Sequence, residues 1–88
     1  MKTWIFLRLQ IYRYEYSPSG NNIINHNCQS LSEARLLKQR LETLIQPDYL
    51  SQDYGKNRSS GWLDRNYGIS GLITKVIGIF ERTEKERD

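Results

Sequence analysis

The chain has 88 residues, 13 Lys and Arg against 10 Asp and Glu, and a formal net charge of +3. That length implies one domain, residues 1–88, whose single small core competes with any deep catalytic pocket for side chains. A hydrophobic content of 38%, a mean hydropathy of −0.71 and a pI near 9.2 make the chain polar and mildly basic. Aromatic residues at 11%, arranged in periodic blocks, argue against disorder.

The excess of base suits an acidic protein surface or a phosphate backbone. No block of five or six like charges occurs, and the tail 83–88 alternates in sign and is expected to fray or to form a short helix. One cysteine, Cys28, precludes an internal disulfide. The opening apolar run is four residues before Arg8, too short for a signal peptide. The apolar block 69–80 contains Lys75 and is too short to cross a bilayer. The expectation is a cytoplasmic protein with no membrane contact. On that ground the glycosylation sequon Asn57-Arg58-Ser59 is discounted.

Residues 4–16 are the longest stretch dense in aromatic and β-branched residues, with no Gly or Pro, and predict a long strand. Odd positions Ile5, Leu7, Leu9 and Ile11 are aliphatic and face a core. Tyr12, Tyr14 and Tyr16 then place an aromatic stripe on the even face. This change of pattern predicts a strong twist or a bulge near Tyr12, or cover on both faces. Residues 17–22 are turn-forming, and 23–28 read as a polar, antiparallel edge strand.

A helix is predicted over about 30–46. Ser30 and Glu33 fit a capping box, and Ala34, Leu37, Leu41, Leu44 and Ile45 share one face. Pro47 sets its end. Leu36 falls almost opposite that face.

Residues 47–68 are the least regular, with a short strand expected over 61–65 and a one-turn helix possible from Pro47. The last apolar block, 69–82, carries two conflicting signals. Ile69, Leu72, Ile73, Val76, Ile77 and Phe80 follow helical spacing, whereas β-branching and the glycines Gly71 and Gly78 favour a strand. The strand reading is taken, as a central strand paired with 4–16. The fold expected is α+β: a small antiparallel sheet of three to four strands with one main helix packed on one face.

Catalytic and metal chemistry are thinly represented. His26 and Cys28 share a strand face and are the one pair with reactive character, but a half-buried cysteine on a polar edge strand is the plainer reading. One His and one Cys do not make a zinc site within one chain. No phosphate-loop or dinucleotide spacing occurs, and the carboxylates of Asp48, Asp53 and Asp64 lack supporting context. No enzyme activity, cofactor or metal is expected.

The stronger pattern is Tyr and Trp beside Arg and Lys. One group is Arg8, Tyr12, Tyr14 and Tyr16; the other is Tyr54, Lys56, Arg58, Trp62, Arg65 and Tyr67. These ten are the candidate partner-binding residues. Such residues dominate protein–protein hot spots, and on a sheet they also stack bases while cations meet phosphates. The leading expectation is a small non-enzymatic protein-binding module, an adaptor or inhibitor, with those carried by a phage or mobile element included. The alternative is an RNA or single-stranded DNA binder using an aromatic, basic sheet face. A homodimer paired along the terminal strand is a further option.

Overall fold

The structure, a computed structural model, describes residues 2–14, 22–45 and 57–84. The elements run β1 (Lys2–Arg13), β2 (Asn22–Cys28), α1 (Leu31–Ile45), α2 (Ser60–Tyr67) and β3 (Gly71–Glu84). The strands form one antiparallel sheet in the order β2-β1-β3, and both helices pack on the same face of it. The fold is α+β, with α1 as its main helix.

β1 lies in the middle and alternates without interruption through Tyr12. Leu7, Leu9 and Ile11 are buried beneath the helices, while Trp4 and Tyr12 stand exposed on the other face. The expected change of pattern near Tyr12 is therefore absent from β1. Its odd face stops being apolar after Ile11, and its even face has been mixed aromatic and cationic all along. The bulges lie in β3. Arg8 pairs with Gly78 but Leu9 with Val76, and Gln10 pairs with Lys75 but Ile11 with Ile73. Ile77 and Thr74 are thus each inserted as one extra residue.

The two insertions explain the ambiguous last block. Core-facing residues of a regular strand recur every second position. With an extra residue after each pair, the residues opposite Ile11, Leu9 and Leu7 become Ile73, Val76 and Ile79. Three-residue spacing, read as helical in a sequence, is here a twice-bulged strand. The strand expected over 69–82 is present but is not central, because β1 holds that place and β3 is an edge. It also continues through the charged residues Glu81, Arg82 and Thr83 to Glu84, paired with β1 as far as Lys2. Residues 85–88 of the expected tail lie outside the described residues.

The outer edge of β3 is partly closed. Ser59 Oγ accepts a hydrogen bond from Ile73 N–H at 2.7 Å, and Asn57 Nδ2 donates to Ile73 O at 2.8 Å. Ser59 Oγ in turn donates to Asn57 Oδ1 at 2.5 Å, and the residue is fully buried. These bonds use both backbone groups of Ile73 at the bulge, so a second chain adding along β3 would have to pair elsewhere on the strand. The sequon residues Asn57 and Ser59 are thereby assigned a structural role.

α1 follows its expected pattern. Ser30 Oγ accepts from Glu33 N–H at 3.1 Å, while Glu33 Oε2 accepts from Gln29 N–H at 2.9 Å, one residue earlier than in the usual reciprocal cap. Ala34 and Leu41 are buried, Leu37, Leu44 and Ile45 are half-buried, and Leu36 is exposed. The strand expected over 61–65 is instead part of α2. Gly68 closes this helix in the left-handed region, at φ 64°, and donates N–H to Asp64 O at 2.8 Å. Trp62 and Leu63 are its buried residues. They are adjacent, so no helical repeat announces them. Any helix at Pro47 lies outside the described residues.

Gly71 begins β3 where two backbones nearly touch. A Cβ there would lie 2.1 Å from the carbonyl oxygen of Tyr12, whereas one at Gly78 would be 3.6 Å from the Phe80 ring. Gly71→Ala is expected to destabilise the fold by about 1–3 kcal/mol, and Gly78→Ala to stay within about 0.5 kcal/mol, both read by urea unfolding. Ser59→Ala leaves Ile73 N–H buried without its partner and should cost about 1–3 kcal/mol in the same assay.

Candidate functional site

Two sites deserve comparison: a polar cluster beneath the helices and the bare face of the sheet. The first is centred on His26 of β2. Its Nδ1 shares a 2.6 Å hydrogen bond with the hydroxyl of Tyr67, and its ring meets Trp62 edge-on at 5.1 Å. Trp62 and Tyr67 are 5.9 Å apart. β2 alternation brings Cys28 to the same face, where it packs against the core.

Burial sets the protonation of this cluster. It lowers the His26 pKa, against a smaller raising effect of Glu33. It raises Cys28, with Glu33 adding to the shift, and raises Tyr67, with Cys28 adding. All three are thus pushed towards their neutral forms. Cys28 Sγ lies 3.7 Å from the carbonyl of His26 as a weak donor, and the imidazole is engaged with Tyr67. A thiol held protonated is a poor nucleophile, so this geometry does not assemble a thiolate–imidazole pair. The cluster instead ties α2 to the edge strand. Among the described residues no group of three or more His, Cys, Asp or Glu gathers as a metal site.

The second site is the face that no helix covers. The register places Trp4, Phe6, Arg8, Gln10 and Tyr12 of β1 beside Arg82, Phe80, Gly78, Lys75 and Leu72 of β3. On the other side, Asn27 lies opposite Phe6 and Asn25 opposite Arg8. Phe6 and Phe80 stack at 5.9 Å with planes 20° apart. The Arg8 guanidinium sits 4.4 Å from the Phe80 centroid and 5.5 Å from that of Phe6, and its Nε donates to Asn25 Oδ1 at 3.0 Å. Glycine at 78, opposite Arg8, puts no side chain in competition for this space. Each cation–π contact is worth about 0.5–1 kcal/mol at an exposed site.

Trp4, Phe6, Arg8, Asn25, Asn27 and Arg82 enclose a shallow cleft of about 380 Å³. It lies where β2 ends, since the β1–β2 pairing runs from Ile5 to Ile11 and leaves Trp4 without a neighbour on that side. Further along, Tyr12 and Tyr14 meet edge-on at 6.1 Å, and both are exposed. Lys2, Arg8, Lys75 and Arg82 are the cations at bare-face positions, and the register sets one acidic residue, Glu84, opposite Lys2 at the far end.

The candidate residues read from the sequence do not form one surface. Arg8, Tyr12 and Tyr14 belong to the bare face. Trp62, Arg65 and Tyr67 belong to α2 on the opposite side, with Arg58 just before it; Trp62 is buried, whereas the other three are exposed. Tyr16, Tyr54 and Lys56 lie outside the described residues. The sequence reading passed over Trp4, Phe6, Phe80, Asn25, Asn27 and Arg82. Simple alternation along β1 marks Trp4 and Phe6, but locating Phe80 requires knowledge of the bulges.

Searches against protein-family models, curated proteins and solved structures found no match. No helix among the described residues is long and apolar enough to span a membrane.

The lowered pKa of His26 has a signed consequence. An unfolded histidine titrates near 6.5, so just below that pH the unfolded chain binds the proton more readily than the folded one. Stability is therefore full above about pH 6.5 and declines as pH falls towards the lower folded pKa. Urea midpoints measured from pH 7.5 to 5 should fall for the wild type. His26→Gln should flatten that segment.

Proposed function

We propose that this chain is a non-enzymatic binding module whose bare sheet face holds single-stranded nucleic acid. One observation carries the reading: a helix-free sheet face on which Phe6 and Phe80 stack beneath the Arg8 guanidinium, with Trp4 and Tyr12 exposed beside them and Lys75 further along. Bases stack on aromatic and guanidinium planes whatever their identity, and cations follow the phosphates. Asn25, Asn27 and Gln10 add groups able to meet base edges.

An acidic protein is the competing occupant, because Trp, Tyr and Arg are also hot-spot residues. The spacing of Arg8 and Lys75 along the strands favours a polyanion over a compact protein epitope, whose rim would offer both signs. A second copy docked face to face would bring like charges together, which opposes that mode of dimerisation.

If Lys2, Arg8 and Lys75 each meet a phosphate, the slope of log affinity against log salt is about −2 for a single strand. Affinity for a fluorescent 12-mer should then fall roughly twentyfold between 50 and 200 mM NaCl. Lys75→Gln should lower the slope by about 0.7 while leaving sequence preference unchanged. Anisotropy titrations measure both. Binding that is absent at 50 mM salt, or indifferent to salt, would sink the proposal, as would saturation of the face by an acidic peptide alone.

A further inference from the structure

Resting on the nucleic-acid reading, we propose that the cleft between β1 and the end of β2 takes one unstacked base and that the Asn27 carboxamide reads its edge. The bare face is not uniform. Towards Tyr12 and Lys75 it is open, but around Phe6 it deepens into the cleft of about 380 Å³. Trp4, Phe6 and Arg8 occupy successive same-face positions of one strand. Such positions are about 6.6 Å apart, room for one flat ring, since stacked bases rise by about 3.4 Å. Trp4 and Phe6 border one such gap, and Arg8 lines the cleft beyond Phe6. Arg8 in the cleft lining supplies the charge that an attached phosphate requires.

The two asparagines of the cleft are not equivalent. Asn25 gives its carbonyl oxygen to Arg8 Nε and so positions the guanidinium. Asn27 makes no hydrogen bond among the described residues, leaving both a donor and an acceptor for a ligand. A carboxamide presents them side by side, matching an adjacent donor–acceptor pair on a base edge. Base preference should therefore depend on Asn27, and stacking affinity on Trp4. Lys75 contributes charge away from the cleft.

Homopolymeric DNA 10-mers of the four bases, titrated by anisotropy at 50 mM NaCl, test this directly. The wild type should separate its best and worst homopolymers by tenfold or more. Asn27→Ala should weaken the best one about tenfold and bring all four within threefold. Trp4→Ala should weaken all four by tenfold or more, and Trp4→Phe should recover most of that loss. Lys75→Gln should weaken all four equally. An unchanged far-UV spectrum and urea midpoint confirm that each variant is folded; Trp4 and Asn27 are both exposed. If the wild type binds with no preference, or Asn27→Ala retains the preference, base reading at the cleft is overturned while nucleic-acid binding stands. If the wild type binds none of the four, both proposals fail.

Discussion

The pairing of β1 with a strand on either side governs this molecule. It commits odd residues to one face and even residues to the other along the whole sheet. Leu7, Leu9 and Ile11 go under the helices, and burying each is worth about 1.5–3 kcal/mol. Their sum is comparable with the entire stability of an ordinary small domain. A slip of one residue would exchange them for Phe6, Arg8 and Gln10, so the register is held by the core itself. The same commitment fixes what remains outside. With two helices on a single face, the even residues have no cover from any described element.

The bulges in β3 reconcile a long edge strand with that core. Counted from Ile79, a regular strand would set Ile77 opposite Leu9 and Lys75 opposite Ile11, where the observed pairing sets Val76 and Ile73. One inserted residue corrects the phase at each bulge, and Thr74 Oγ1 ties its bulge back to Gln10 O at 3.1 Å. Bulged edges also resist strand addition. At Ile73 this protection is reinforced by Asn57 and Ser59, residues more than a dozen positions away in sequence.

Legibility from sequence follows the range of the interactions. α1 was readable because its cap, its apolar face and its terminating proline are all local. The long strand was readable from alternation, and β2 from its turn and polar content. The order of strands was not, since Trp4–Arg82 pairing carries no local mark. α2 was missed because two adjacent buried residues produce no period, and Ser59 gives its hydroxyl to β3 instead of capping the helix. The working face suffered from the same limitation. Tyrosines drew attention by repetition, whereas the deeper feature combines Phe6 with Phe80, 74 positions later. Trp62, conspicuous in a glycine-rich context, belongs to the core.

Arg8 connects the fold to the proposed ligand binding. A free arginine side chain loses up to about 2 kcal/mol of rotamer entropy when fixed. Here Phe6, Phe80 and Asn25 already hold the guanidinium in the unbound chain. That ordering is completed during folding, so less remains to be lost on binding. Its plane is stacked and its Nε satisfied, yet a guanidinium has five N–H donors and only one is taken by Asn25. The arrangement keeps charge fixed on an otherwise aromatic surface without neutralising it by a carboxylate. Such a group resembles a positioned recognition element more closely than a structural ion pair, which is what the proposed binding of an anionic, flat ligand requires.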